Sequence, residues 1–414
     1  MTSIEARYKV VTPLFSAGAH PGRPGIAAKR GIPATLRESG SPELRLASFK
    51  GVLRFWWRVL AWSRCGGNLA VIRSEEDFLF GSSDGGQSRV SMRLAERTPS
   101  PEPVTVGEVL RVPRAGRAVG PGARYLGYGV MESFDGKNTV AGRLTRACLQ
   151  APFRFTVQMR VCDVQPQRLE SLKKALIALG TFGGMGAKNR KGYGSLALQK
   201  LRVDGKEWRK PRTAENLRDA IASLSGGRMD RAASLPDYTA LSDRSRHLVL
   251  TSHRRQPLEL LDLIGREMVR YRSWGHRGRV FGQVSEKNFE DDHDLMKQDK
   301  GQRKSHPRRI AFGLPHNYGR PRHKQIGPAD NLLDRRASPL FIHIDECGKI
   351  PVAVVSFLPA RFLPDGKSDI SVGGKRIRQK PESDLYRPVC GFLERLLNAD
   401  ERKERFTRVI NVRR

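Results

Sequence analysis

The sequence predicts an α+β protein made of two tandem ferredoxin-like units with long loop insertions. Three observations predict it. The chain has 414 residues, enough for more than one core. Its regular segments switch between a period of two and a period of 3.6. The same strand-helix rhythm then returns after a polar connector. The units read as residues 1–205 and 246–414, joined by a connector at 206–245, with a charged insertion at 286–309 in the second.

The elements follow in order. Residues 6–15 (ARYKVVTPLF) read as a strand that runs into a Gly/Pro-rich loop at 16–33. Residues 48–64 read as an amphipathic helix with Ser48 as its N-cap. Weaker strands are expected at 90–94 and 104–112. Loops rich in Pro, Gly and Arg are expected at 97–103 and 113–123. Residues 153–161 (FRFTVQMRV) alternate as a half-buried strand does. A helix at 166–179 places Leu169, Leu172, Leu176 and Leu179 on one face, and a glycine-rich loop at 183–194 leads to a strand at 195–203. The second unit repeats the pattern: a strand at 247–252, a helix at 257–274, strands at 339–344 and 352–358, and a helix at 384–397. The insertion is strongly charged and mixed in sign, which reads as an exposed or mobile segment.

Composition bounds the function. Lys+Arg number 75 against 42 Asp+Glu, a formal net charge of +33. Self-repulsion on that scale opposes a compact state unless counter-charge is bound, and nucleic acid is the first candidate. A membrane surface is the second, but no apolar run approaches the ~20 residues of a span, and the N-terminus lacks the pattern of a secretory signal. Cytoplasm is the expected location. Five scattered cysteines without a CxxC pair fit neither a disulfide framework nor a zinc ribbon.

Two motifs carry the chemistry. In the 48–64 helix, Lys50, Arg54 and Arg58 fall at i, i+4 and i+8, a cationic stripe beside Trp57, with Val52, Phe55, Trp56 and Val59 on the opposite, core-facing side. Core helices with solvated charges are common, yet the charge of the whole chain favours a grip on a polyanion. The second motif is the loop GGMGAKNRKGYGSL (183–196), in which glycines permit close backbone approach. Lys188, Arg190 and Lys191 offer charge there, Asn189 an amide and Tyr193 an aromatic face. It is no P-loop, because Gly-Lys-Ser/Thr is missing, and no dinucleotide fingerprint, because Asn189 stands where the third glycine belongs. A basic β-turn is the plainer alternative.

Both motifs resemble the RAMP superfamily of CRISPR effector proteins, whose members carry a loop of the G-G-x-G-x-x-x-R/K-x-G-x-G kind. The nearer resemblance is to the first-subunit family of the type III-B Cmr complex. Four ordered segments carry it: ELRLASFKGVLRFWWRVL (43–60), the glycine loop, FGLPHNYG (312–319) and RRASPLFIHI (335–344). The resemblance implies two ferredoxin-like RAMP units and a place in a guide-RNA ribonucleoprotein that binds complementary target RNA. There the chain would be a non-catalytic cap at the end that holds the guide's 3′ portion, with other Cmr-type subunits as partners. It implies RNA contact at Lys50, Arg54, Trp57, Arg58, Lys188, Asn189, Arg190 and Lys191, and at Arg335, Arg336 and Ser338 in the second unit.

Catalytic candidates are weaker. His20 is the one histidine in a loop where RAMP guide-processing nucleases are expected to hold a general acid/base, but no second histidine or tyrosine lies near it to pair with. A metal-independent guide-processing ribonuclease using His20 is therefore the rival reading. A purely structural subunit is a third. Asp84 and Asp135 stand in Asp-Gly turns. Glu290–Asp294 lacks EF-hand spacing and reads as a solvated charge run. His306, His316, His323 and Cys347 match no zinc pattern. No catalytic residue, metal or cofactor is expected.

Overall fold

In the computed structural model, residues 1–16, 41–99, 101–225, 235–275, 277–318, 325–402 and 404–412 are described. Alternating burial builds the first sheet. Strand β1 (Thr2–Val10) buries Ile4, Ala6, Tyr8 and Val10 and turns the residues between them toward the other face. It begins earlier than the expected 6–15 and stops at Val10, because Pro13 has no amide for a ladder and Leu14 leaves to pair with Leu149.

Helix α1 (Leu46–Arg64) starts ahead of Ser48, so Ser48 lies inside the helix and caps nothing; the N-cap position is Arg45, without a side-chain cap. A helix not read from the sequence follows, α2 (Leu69–Phe80), capped by Asn68 Oδ1, which accepts from the amides of Ala70 and Val71. Then come β2 (Val90–Thr98), β3 (Phe153–Val161), α3 (Pro166–Phe182) and β4 (Leu196–Val203). The expected strand at 104–112 reduces to Pro103–Val104, paired with Cys148–Leu149. The sheet order is β2-β3-β1-β4, with the two-residue strand Lys206–Glu207 outside β4, and every pair is antiparallel.

Helix α4 (Ala214–Ser225) occupies the connector and buries Leu217 and Ile221. The second half runs β5 (Arg246–Thr251), α5 (Pro257–Arg272), α6 (Glu290–Lys297), β6 (Leu340–Cys347), β7 (Ile350–Phe357), α7 (Arg387–Leu397) and β8 (Arg408–Val412). Its sheet order, β6-β7-β5-β8, is again second-third-first-fourth of its β-α-β-β-α-β run, and again antiparallel throughout. The two sheets are not independent. Phe341, Val352 and Val354 of the second lie in the same apolar core as Tyr8 of the first and Phe49 and Trp56 of α1. Among the described residues, no helix is long and apolar enough to cross a membrane.

The insertion at 286–309 is exposed over much of its length, as its charge suggested, with the Asp291 side chain 86% exposed, but it also buries charges that composition does not reveal. Asp292 in α6 is 2% exposed. Its carboxylate accepts from the backbone amides of Arg308 (2.6 Å) and Arg309 (3.0 Å), from Arg309 Nε (3.3 Å) and from the Tyr318 hydroxyl (3.1 Å). The buried Arg303 guanidinium donates to the carbonyls of Met296, Gln298 and Val372. Charges that look solvated in sequence are thus satisfied internally, as burial requires.

Candidate nucleic-acid interface

The cationic stripe forms as its spacing dictates, but a neighbour claims it. Helix α2 lies beside α1 and sets Glu76, 6% exposed, between two of the arginines. Glu76 Oε1 accepts from Arg54 Nε at 2.7 Å and from Arg58 NH1 at 3.2 Å. Lys50 Nζ donates to the Phe80 carbonyl at 3.0 Å, and burial, with the Arg54 charge beside it, pulls its pKa below the usual lysine value. One carboxylate against two guanidiniums leaves the stripe positive, though less so than three free cations. Trp57 is a correction. It is 1% exposed, its Nε1 donates to Ser171 Oγ at 3.0 Å, and it offers no stacking face. The half-exposed aromatic of α1 is instead Phe55, expected on the core side; it stacks on Phe341 with ring centroids 6.2 Å apart at 25°.

The glycine loop is built by close approach. Gly186 (φ +76°) lies where a Cβ would come 2.4 Å from the Phe15 carbonyl, and at Gly194 (φ +61°) a Cβ would meet the Met185 carbonyl at 2.1 Å. Tyr193, expected to offer a ring to ligand, is fully buried; it packs edge-on against Phe15 and donates its hydroxyl to the Ala123 carbonyl at 2.7 Å. Asn189 Nδ2 ties the loop to the Gly184 carbonyl.

The loop also joins the two halves. The Ile342 amide of β6 donates to the Arg190 carbonyl (3.0 Å), Arg190 NH1 donates to the Ser338 carbonyl (2.7 Å), and His343 Nδ1 meets the Gly183 carbonyl (2.7 Å). Ser338 is therefore structural. It is 7% exposed, and its Oγ accepts from the Leu340 amide at the start of β6. Arg336 pairs its backbone with Leu314, which brings the third resemblance segment against the fourth, and its NH2 donates to the Arg361 carbonyl. Arg335 is exposed.

Three of the four segments thus converge on one groove. Phe55 and Arg58 of α1, Arg190 of the loop, and Arg335, Arg336 and Arg361 of the second half line a cleft of about 520 Å³. An adjoining pocket of about 220 Å³ shares Phe55 and Arg190 with it. The Arg190 guanidinium lies 4.5 Å from the Phe341 ring centroid and 5.5 Å from that of Phe55. Sequence reasoning missed Arg361, Phe341 and Arg272, which lie far along the chain from both motifs and reach the site only through the fold.

Electrostatics single out the loop. Among the described residues, no carboxylate lies within ion-pair distance of Lys188, Arg190, Lys191, Arg272, Arg335 or Arg336. Burial pulls Lys191 down to about 7, with Arg272, Lys188 and Arg190 adding to the shift, and pulls Arg190 down to about 10 with Arg336 adding to it. Lys188 is lowered by burial and by Arg146 and Arg335. Crowded, half-buried cations with no carboxylate of their own call for an anion from outside.

Among the described residues, no three His, Cys, Asp or Glu side chains cluster as a metal site would need. Asp135 stabilises a turn, accepting from the Ala141 amide. His306 accepts from the Lys380 amide, His323 falls outside the described residues, and so does His20.

Comparison with known proteins places this geometry. Residues 7–197 match the family model of the RAMP superfamily, a stretch that runs from within β1 to the start of β4 and includes α1 and the glycine loop. The chain is also 27% identical over 203 residues to the CRISPR system Cmr subunit Cmr1-2 of Pyrococcus furiosus, covering 47% of this chain and 94% of that protein. The crystal structure of Cmr1 from Pyrococcus furiosus, in its apo form, shares the fold with a TM-score of 0.51 at 18% identity, over 100% of this chain and 99% of that one. A chain in a cryo-EM structure of a type III-B Cmr-beta bound to cognate target RNA aligns with a TM-score of 0.46 at 12% identity, over 94% of this chain and 99% of that one. The glycine loop here does two things: its glycines and tyrosine pack the fold, and its Arg190 lines the groove.

Proposed function

We propose that the chain is a Cmr1-type subunit of a type III-B CRISPR ribonucleoprotein, working in the cytoplasm as a non-catalytic RNA-binding cap. Its two ferredoxin-like units would seat the guide RNA's 3′ portion and contact complementary target RNA, next to other Cmr-type subunits. The observation that carries this reading is the groove where α1, the glycine loop and residues 335–361 meet: Arg190, Arg335 and Arg336 line it without a carboxylate of their own among the described residues, while Arg58 and Arg361 are paired with Glu76 and Asp237. Arginines and an aromatic pair suit phosphates and splayed bases, and such contacts are indifferent to sequence. Sequence would then be read by guide–target pairing, the division of labour of RNA-guided effectors.

The test is reconstitution of the full chain with the remaining subunits and a guide RNA carrying a photoreactive nucleotide at either end. The reading predicts crosslinks to residues 50–58, 188–191 or 335–361 from the 3′ end. Crosslinks from the 5′ end alone would contradict it.

A pH effect follows from Lys191. With its pKa near 7 it is largely neutral at pH 8 in the free protein, and a bound phosphate restores its charge. Binding at pH 8 is therefore expected to take up a proton, and affinity to fall as pH rises from 6 to 8. Calorimetry in two buffers of different ionisation enthalpy measures the uptake, which Lys191→Met should remove.

A further inference from the structure

The two sheets are covered unequally. The second is packed on both faces: Val249 and Val354 share a core with α3 and α4, and Leu250 and Ile342 share another with α5 and α7. The first buries Ile4, Ala6 and Tyr8 under α1 and α3, and its other face is polar. One end of that polar face closes on the second half, where Lys9 Nζ meets Glu346 at 2.6 Å. The other end is open, with Ser3, Ser91, Arg93 and Arg160 exposed.

An open sheet face is ordinary when its charges answer one another, and here they do so only in part. Lys200 pairs with Glu5 at 3.3 Å and Arg7 with Glu96 at 2.6 Å. Among the described residues, no carboxylate lies within ion-pair distance of Arg93, Arg154 or Arg160. Cross-strand register sets Arg93 opposite Gln158 and Arg160 opposite Ser91, so the two arginines are diagonal neighbours. Both line a shallow depression of about 450 Å³ on this face, with Ser3 and Glu5. Arg93 Nε donates to Gln158 Oε1 at 2.8 Å, an amide that holds the guanidinium in place without neutralising it. None of these residues lines the groove, because α1 packs on the opposite face of the sheet.

We infer that this open face docks an acidic surface of a neighbouring protein subunit, whose Asp and Glu side chains reach Arg93, Arg154 and Arg160. The inference rests on the reading of the chain as one subunit of a complex. Charge makes the occupant anionic, and the make-up of the face makes it a protein. Nucleic acid on an open sheet is held by stacking, but the aromatics of these strands, Tyr8, Phe153 and Phe155, are buried on the helix side. Glu5 and Glu96 also stand among the cations, where a phosphate backbone crossing the strands would meet like charge. A protein surface can match both signs in one pattern.

The experiment measures, by surface plasmon resonance, binding of the full chain to the remaining subunits assembled on a guide RNA. It compares the parent with a variant carrying Arg93→Ala, Arg154→Ala and Arg160→Ala and with one carrying Arg93→Lys, Arg154→Lys and Arg160→Lys. The alanine variant is expected to bind about tenfold more weakly, chiefly through slower association, with the difference shrinking as salt rises. The lysine variant should recover most of the loss. Both should keep the parent's melting temperature, and as isolated chains the parent's salt slope for single-stranded RNA. Equal binding to the subunits by parent and alanine variant overturns the docking inference alone. A flatter RNA slope for the alanine variant gives the face to RNA and overturns the protein occupant. A parent that does not join the subunits overturns the reading of the chain as a Cmr-type subunit, and this inference with it.

Discussion

Replacing Lys188, Lys191 and Arg335 together with alanine is expected to flatten the log–log salt dependence of RNA binding by about 2, at ~0.7 per phosphate contact on a single strand. The variant should be no less stable than the parent, because the three cations repel one another and have no carboxylate partner to strand. Loss of affinity without loss of stability is the signature of a surface kept for a ligand. The stripe on α1 should behave differently. Lys50→Ala, Arg54→Ala and Arg58→Ala together leave Glu76 buried without its two partners, so that variant should lose stability and flatten the slope by less. Adding Glu76→Gln to it should restore much of the stability and leave the slope where it was. A salt series by fluorescence anisotropy, with thermal melts on the same samples, separates the two cases. Equal slopes for parent and loop variant would remove the loop from the RNA surface.

Asp292→Asn is expected to destabilise the second half by about 3–5 kcal/mol, the usual result of removing one member of a buried ion pair. The substitution keeps the shape of the side chain. It removes the charge opposite Arg309 and turns one acceptor into a donor facing donors, since both backbone amides, Arg309 Nε and the Tyr318 hydroxyl all donate to this carboxylate. Leu314, a few residues along from Arg309, pairs with Arg336, so RNA affinity should fall as a secondary effect. Urea unfolding of the full chain measures the change. A shift worth less than about 1 kcal/mol would mean that Asp292 is solvated in solution, as its surroundings in the sequence suggest.

What could be read from the sequence was what local pattern determines. The 153–161 strand alternates cleanly and appears at those bounds, and the helix at 166 begins at its proline, which suits the first turn. Apart from α2, α6 and β8, the order of elements in each half followed from the same signals. What could not be read depends on partners distant in the chain. Trp57 sits beside the cationic stripe on a helical wheel, but α3 and Ser171 cover it, and no periodicity announces that contact. Helix α2 was overlooked because LAVIRSEEDFLF begins with apolar residues that remain exposed, Leu69 and Val71 among them, which blurs its stripe. With α2 went Glu76, and so the neutralisation of Arg54 and Arg58. The closing strand β8 is five residues long near the end of the chain, too short for its alternation to stand out. Ser338 counts as an RNA contact in the sequence only through the resemblance carried by residues 335–344. Its hydroxyl serves the Leu340 amide, a local role as common for serine as ligand binding.

The chain is expected to bind RNA through the groove and leave it intact. Titrating the purified full chain against a labelled single-stranded RNA across a salt series, with the same samples run on a denaturing gel, tests it most directly. Contacts to about six phosphates predict a log–log slope near −4 and uncut RNA at every salt concentration. Binding that ignores salt would contradict the claim. So would a cut at a fixed position without metal, which would turn attention to His20.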